Sequence, residues 1–482
     1  MSLARQPWFA GMLLLSSGAA ALVYQTTWFR EFRLMFGTST YATAAVLAIF
    51  MAGLGAGSAI LGRVADRKAA PLAWYGILEL GIALSAALSP LLLLGARQLY
   101  IALGGAVTLG LPLATLVRLA LTVLVLGLPT FLMGGTLPAA ARAVETAGDR
   151  GRRHLALLYG MNTLGAVAGV LLATFILLEA FGNRKTLMLA VLLNVAVAFV
   201  AIAVGRSEGE RAGGAPSAGP SLRSGPPSPP RGGGEGSSKP VLIAAGVVGF
   251  VFFLMELVWY RMLAPLLGGT TFTFGLILAM ALLGIGLGGA AYAFWSGSKR
   301  PTAGTFALTC AIEALAIIVP FALGDRLAVF TNLLRPLAMF GFAGDVIGWS
   351  IVTAVVVLPA AFISGVQFPI LVALLGEGRE DVGRHVGAAY AWNTAGAIAG
   401  ALAGGFGLLP LLGAPGAWRL AAVVLVLLGI VAAAVAFRRR AWVSAGASLV
   451  IGLAAVACLT FTGPTAAWRH TGIGAGRTPL PD

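Results

Sequence analysis

Residues 159–169 are YGMNTLGAVAG and residues 390–400 are YAWNTAGAIAG, so the chain contains the same apolar segment twice, 231 positions apart. The same offset joins further residues in register: Trp28 with Trp259, Gly53 with Gly284 and Gly57 with Gly288. Chance does not maintain one offset over most of residues 19–182. The sequence therefore predicts a tandem duplication.

The composition is typical of a membrane protein. Of the 482 residues, 59% are hydrophobic and only 10% are charged, whereas soluble domains contain roughly 25% charged residues. Apolar stretches of about 20 residues, the length that crosses a bilayer as a helix, recur along the chain. We therefore expect an all-α polytopic membrane protein with the lipid bilayer as its partner. The net charge of +15 does not indicate nucleic acid binding, because Lys and Arg lie in short loops between the apolar spans.

The spans divide the chain into two repeats of six helices, about 12 spans in all, and one extra C-terminal span. The first repeat covers residues 1–205 and the second covers residues 240–437. The extra span lies in residues 438–463, and a tail, 464–482, follows it. Between the repeats, residues 206–239 are rich in Gly, Pro and Ser and are predicted to form a disordered linker.

The basic residues predict the orientation. The N-terminus, the even-numbered loops and the linker contain twenty Lys and Arg residues, and the odd-numbered loops contain nine. The positive-inside rule then places the N-terminus and the linker in the cytoplasm, in a bacterial-type inner membrane. Both halves have the same orientation, so they form a parallel repeat of the kind found in major facilitator transporters.

One loop segment resembles a motif of the major facilitator superfamily. Residues 57–68, GSAILGRVADRK, close the second span and enter the first cytoplasmic loop. In that family a Gly allows close helix packing and an Asp–Arg pair connects the cytoplasmic helix ends. The resemblance implies a gating or structural role for Asp66 and Arg67. The second half has FWSGSKR at this place and lacks the Asp.

A wider resemblance covers nearly the whole chain. Four segments are similar to the membrane part of fused major facilitator/spermidine synthase proteins: SSGAAALVYQTTWFREFRLMFGTSTYA (16–42), GLPTFLMGGTLPAAAR (127–142), YGMNTLGAVAG (159–169) and GPTAAWRHTGIGAGR (463–477). In that family a soluble aminopropyltransferase-like domain follows the membrane part, and it binds decarboxylated S-adenosylmethionine and a polyamine.

This chain departs from that pattern, since only residues 464–482 follow the last predicted span. We therefore expect no catalytic residue and no cofactor here, and the resemblance implies synthase activity only with the missing domain. A separate synthase domain is a possible partner. No His, Cys and carboxylate group has the spacing of metal ligands in the sequence, so no metal site is predicted.

Acidic residues inside apolar spans are the candidate site residues, because such groups are costly in lipid and face a cavity or a partner. Glu79 and Glu313 occupy matching places in spans three and nine, and Glu256 occupies the place of Gln25. They are predicted to bind a cationic substrate or to carry a coupling proton. The alternative is structural: each Glu bonds a neighbouring backbone or an Arg such as Arg118.

Aromatic residues adjoin these acids: Tyr24, Trp28 and Trp259. Their faces attract organic cations. Together with the resemblance, they favour a secondary transporter of a polyamine or related organic cation. Two alternatives remain open: a membrane anchor for a synthase domain, and a transporter of an unrelated solute.

Asn162 and Asn393 lie among Gly and Ala in spans five and eleven. Small residues allow helices to approach closely, and amides bond across the contact. The sequence favours this packing role over substrate contact for both residues.

Overall fold

The computed structural model describes residues 3–36, 40–146, 148–213, 235–268, 271–296, 300–376 and 381–464. Within these ranges the chain is helical and contains no strand. The first half forms seven α-helices: α1 (Pro7–Phe36), α2 (Thr40–Asp66), α3 (Pro71–Ala102), α4 (Gly105–Gly134), α5 (Thr136–Val144), α6 (Arg153–Leu172) and α7 (Leu178–Gly213). A π-helical segment, Ala173–Leu177, joins α6 to α7.

The second half repeats this order. Its helices are α8 (Glu235–Leu263), α9 (Thr271–Trp295), α10 (Ala303–Leu323), α11 (Arg326–Leu333), α12 (Phe342–Leu375), α13 (Val382–Ala403), α14 (Leu409–Arg438) and α15 (Trp442–Cys458). A 3-10 helix, Arg335–Phe340, precedes α12. A π-helical segment, Gly404–Leu408, joins α13 to α14 at the place equivalent to the first π-helical segment.

Ten helices in the described ranges are apolar and long enough to cross a membrane. Two of them, Arg153–Ser207 and Val382–Arg438, are 55 and 57 residues long, far beyond the roughly 20 residues of one crossing. Each is interrupted by a glycine with φ near 67°, Gly182 in one and Gly413 in the other, a conformation that glycine adopts at little cost. Each therefore makes two crossings, so the ten helices make twelve. The protein is an integral membrane protein.

Helix packing follows the duplication. Within the first half α1 packs on α6, α2 on α4 and α3 on α7; within the second, α8 packs on α13, α9 on α12 and α10 on α14. The halves meet through α2 with α13 and α6 with α9, which are again equivalent pairs. The C-terminal helix α15 lies outside the repeat, and it packs on α10 and α14.

Glycines at equivalent positions make the closest helix contacts. A Cβ at Gly165 would overlap the carbonyl oxygen of Leu15, and a Cβ at Gly396 would overlap that of Gly246. These two contacts are related by the same 231-residue offset. The repeated glycines therefore lie where two helix backbones come into direct contact and leave no room for a side chain.

The predicted linker is shorter than expected on both sides. Because α7 continues to Gly213 and α8 begins at Glu235, residues 206–213 and 235–239 are helical rather than disordered. Arg and Glu in RSEGER are good helix formers, which allows α7 to continue beyond its apolar part. Residues 214–234 of the predicted linker and 465–482 of the predicted tail lie outside the described ranges.

Candidate functional site

The first helix of each half is enclosed by protein. The helices that pack against α1 belong to the first half, and the helices that pack against α8 belong to the second half. Between residues 244 and 260, α8 has no strongly exposed side chain, whereas the lipid-facing α3 exposes Leu84 and Leu91 by 59% and 62%. α1 and α8 are therefore central helices.

Each central helix has one half-buried stripe. On α1 the stripe consists of Leu22, Gln25, Thr26 and Phe29; on α8 it consists of Phe253, Glu256, Leu257 and Tyr260. Both stripes have the i, i+3, i+4, i+7 spacing of a single helix face. The other faces of each helix pack on its own half, so the stripes are the partly accessible faces of α1 and α8, and we call the space that they border the cavity.

Glu256 and Gln25 occupy equivalent places on these two stripes. The Glu256 side chain is surrounded by protein, yet part of it is accessible. Among the residues that the structure describes, neither side chain has a hydrogen-bond or ion-pair partner. An acidic group without a partner therefore faces the cavity.

Glu79 is enclosed in the first half, away from the stripe. The Ser17 hydroxyl of α1 donates to its Oε1 (2.6 Å), and Asn194 Nδ2 of α7 donates to its Oε2 (2.9 Å). The carboxyl group therefore joins α1, α3 and α7. This bonding favours the structural alternative for Glu79.

Glu313 is likewise enclosed in the second half, with 1% of its surface exposed. It lies beside Gln367 of α12, whose Nε2 is 3.9 Å from Cys310 Sγ. Glu313 and Glu79 are thus buried inside separate halves, and neither shares the accessible stripe of Glu256. Arg118 interacts with Tyr100, to whose hydroxyl its Nε donates (2.9 Å).

The three predicted cation-binding aromatic residues are buried in the helix cores. Tyr24 stacks on Trp28 with ring centroids 5.3 Å apart, and Trp28 Nε1 donates to Ser89 Oγ (2.8 Å). Trp259 packs edge-on against Phe252 at 6.0 Å. The structure does not place these rings on the accessible stripes with Glu256 and Gln25.

A different aromatic group joins the two halves. Phe368 of α12 stacks on Tyr159 (4.6 Å between centroids) and meets Tyr390 edge-on (6.0 Å). The two tyrosines are the first residues of the repeated segment, and both are half-buried. These aromatic residues are not among the predicted site residues, although the repeated segment contains both tyrosines.

The halves share an apolar core at one end, whereas towards the other end they meet between α6 and α9, where Phe175 stacks on Phe272 with ring centroids 5.3 Å apart. Near the Tyr159–Phe368–Tyr390 group, one apolar cluster contains Leu137 and Leu158 of the first half with Phe368 and Val386 of the second. Towards the other end, the cluster around Trp28 consists of first-half residues, and the cluster around Trp259 consists of second-half residues. We call the packed end, which carries Asp66, Arg142, Arg152 and Arg384, the basic end.

Asp66 joins the halves at the basic end. The backbone N–H groups of Gly383 and Arg384, in the first turn of α13, donate to its two carboxylate oxygens at 2.8 Å each. A carboxylate at a helix N-terminus also interacts favourably with the helix dipole. Arg142 Nε lies 3.7 Å from Asp66. Arg67 is exposed and borders a cleft of about 440 Å³ beside Asp66 and Arg384.

Arg152 makes a second link between the halves. Its side chain is fully buried; Nη1 lies 3.5 Å from Glu145 Oε1, and Nη2 donates to the Gly376 carbonyl at the end of α12 (3.3 Å). Burial lowers the pKa of the Arg152 guanidinium. Burial and the nearby Asp149 raise the pKa of the Glu145 carboxyl to about 8, against the lowering effect of Arg152.

Two further bonds connect the start of α6 and the loop before it to α9 of the other half. The Tyr292 hydroxyl donates to the Gly151 carbonyl (2.9 Å), and Arg153 Nε donates to the Ala293 carbonyl (3.0 Å). The basic end is therefore closed by polar bonds as well as by apolar packing.

Asn393 and Asn162 lie at helix contacts. Asn393 Nδ2 donates to the Ala245 carbonyl of α8 (3.1 Å). The backbone carbonyl of Asn393 adjoins Gly249, as the backbone carbonyl of Asn162 adjoins Gly18. This geometry favours the predicted packing role.

The fold defines an all-α integral membrane protein with two six-helix halves, a partly accessible carboxylate on the first helix of the second half, and a closed basic end. This is the major facilitator fold. The chain is similar to the human organic anion transporter MFSD10 (TETRAN), with 12% identity, a TM-score of 0.54, and coverage of 90% of this chain and 100% of that one.

The chain is also similar to a bacterial homologue of the iron transporter ferroportin, solved in an outward-facing state. That comparison has 12% identity, a TM-score of 0.55, and coverage of 95% of this chain and 99% of that one. No family model matches the sequence, and no curated protein matches it. At this level of identity the likeness concerns the fold.

Proposed function

We propose that the protein is a secondary transporter of a small organic cation, and that Glu256 binds this cation in the cavity. The observation that carries the proposal is the Glu256 carboxylate, which faces the cavity without a partner in the described part of the chain. An acidic residue inside a membrane helix costs about 2.5–3.5 kcal/mol on insertion scales, so a structural position would favour an apolar residue. A cationic substrate, or the proton coupled to it, offsets that cost.

Alternating access supports the same proposal. The halves are joined at the basic end by Asp66 and Arg152, whereas towards the other end the clusters around Trp28 and Trp259 each belong to one half. With the N-terminus and basic loops in the cytoplasm of a bacterial-type cell, the cavity opens away from the cytoplasm. Aromatic rings on the route, Tyr260 beside Glu256 and Tyr159 and Tyr390 at the closed end, suit a cation.

The substrate class rests on two supports of different kinds. The carboxylate favours a cation, and the sequence resemblance to spermidine synthase fusions favours a polyamine. The same resemblance supports a second candidate, a membrane scaffold for a separate synthase domain. Spermidine uptake by the protein alone separates the two, because a scaffold moves no polyamine under any ion gradient.

The test uses purified protein in proteoliposomes with labelled spermidine. Glu256→Gln keeps the shape of the side chain and removes its charge. We expect the half-saturating spermidine concentration to rise at least about tenfold, which corresponds to about 1.4 kcal/mol of lost charge pairing. The matched control is Glu179→Gln, which removes the same charge from an exposed position at the start of α7.

Uptake by Glu179→Gln should equal that of the wild type. If Glu256→Gln transports spermidine with unchanged affinity and unchanged pH dependence, Glu256 is structural and the site assignment is wrong. If the wild type accumulates no organic cation, the transported solute belongs to another class.

A further inference from the structure

Three metal-ligating side chains converge outside the cavity, at the basic end. Glu145 follows the last turn of α5, Asp149 lies in the next loop, and His154 lies in the first turn of α6. One ligand atom from each residue lies within 4.8 Å of the others. Sequence spacing does not reveal this group, because its members come from a helix end, a loop and a helix start.

Two of the three donors are buried carboxylates, and one of them, Glu145, has no hydrogen-bond partner in the described part of the chain. Glu145 is 3% exposed and Asp149 is 5% exposed. His154 Nδ1 lies 3.2 Å from Asp149 Oδ2, a contact that does not meet hydrogen-bond geometry. The nearest cation, Arg152, stands 3.5 Å from Glu145. A carboxyl ligand must be ionised to bind a metal, so a bound cation would displace the proton that burial otherwise favours on the Glu145 carboxyl.

We propose that Glu145, Asp149 and His154 bind one divalent transition-metal ion of the Zn²⁺ or Mn²⁺ class. Ligands about 2.0–2.2 Å from one ion lie about 3–4 Å apart, so the observed separations need only small side-chain rotations. One imidazole with two carboxylates favours these metals over Ca²⁺ and Mg²⁺, which prefer all-oxygen sites.

The surroundings of the site suit a metal. The backbone N–H groups of Arg153 and His154 donate to Asp149 Oδ1 (3.0 Å) and Oδ2 (2.9 Å). Such outer bonds orient a ligating carboxylate. The His154 side chain is 29% exposed, which gives the ion a path from solvent and leaves room for water as a further ligand.

The duplication provides a matched control. The position equivalent to His154 is His385, but the position equivalent to Glu145 is Gly376. The second half therefore has the imidazole without this carboxylate. The inference does not depend on the transported solute, because the site lies outside the cavity.

The experiment titrates Zn²⁺ into the purified full-length protein, after removal of any histidine tag, in competition with a chromophoric indicator. We expect one ion per chain at micromolar or tighter affinity. His154→Gln and Glu145→Gln should each weaken Zn²⁺ binding at least about tenfold. Changes to residues that only hydrogen-bond a metal ligand already weaken metal binding by about tenfold or more, so loss of a ligand should do no less. His385→Gln should bind like the wild type, and a tenfold excess of Ca²⁺ should not compete.

Co²⁺ bound to the wild type gives a measurement that does not depend on variant folding. Imidazole and carboxylate ligation at a low-symmetry site should produce visible absorption bands beyond those of Co²⁺ in buffer, and Zn²⁺ should remove them. The proposal is wrong if the wild type binds no Zn²⁺ and shows no Co²⁺ bands.

Discussion

Replacing Asp66 with Ala should open the basic end. The substitution removes two charge-assisted hydrogen bonds, from the N–H groups of Gly383 and Arg384 at 2.8 Å each. Bonds to charged groups contribute about 1.5–3 kcal/mol each. Because 13% of the Asp66 side chain is exposed, water replaces part of the lost bonding energy. We therefore take the loss of both bonds to destabilise the closed state by about 2–4 kcal/mol. The ratio of closed to open molecules should then fall by about 30-fold to several hundred-fold.

Double electron–electron resonance measures this ratio directly. Spin labels at Ala69 and Arg439, both exposed at the basic end and one in each half, report the separation of the halves. Cys310 is fully buried and Cys458 is replaced by Ser, so neither takes a label. Asp66→Ala should shift the distance distribution towards longer separations.

The control for this experiment is Asp381→Asn. Asp381 forms an ion pair with Arg384 (3.1 Å), but its side chain is 52% exposed, and exposed pairs contribute little. Its backbone φ of 52° suits Asn. If Asp66→Ala gives the same distance distribution as Asp381→Asn and the wild type, Asp66 does not hold the halves together.

Two more outcomes follow from the repeat and the predicted orientation. Gly165→Val and Gly396→Val each drive a side chain into a backbone carbonyl, so both should lower the yield of folded protein in thermal-stability and size-exclusion measurements. In the control Gly95→Ala the added methyl group meets nothing within 4 Å, so this change should be neutral or stabilise the protein by up to about 1 kcal/mol. Equal tolerance of all three changes would contradict the proposed helix packing. Trypsin should cleave between residues 214 and 234 in inside-out vesicles and not in right-side-out vesicles, and the reverse pattern would invert the predicted topology.

Much of the fold could be predicted from the sequence because membrane insertion and duplication leave direct traces in it. Apolar length determines the crossings, since every backbone polar group must bond within its own helix in lipid. The repeated glycines mark helix contacts that only a missing side chain allows, and Gly165 and Gly396 confirm them in space. Helices α7 and α8 continue into both ends of the predicted linker, because polar residues can continue a helix beyond the membrane.

The candidate site depended on the tertiary structure. Glu79, Glu256 and Glu313 are alike in sequence, yet Ser17 and Asn194 bond Glu79, Glu313 is enclosed beside Gln367, and Glu256 faces the cavity. Which face of an enclosed helix remains open depends on the helices around it. Tyr159 and Tyr390 meet on Phe368 for the same reason, because residues 231 positions apart come together only when the two halves close on one another.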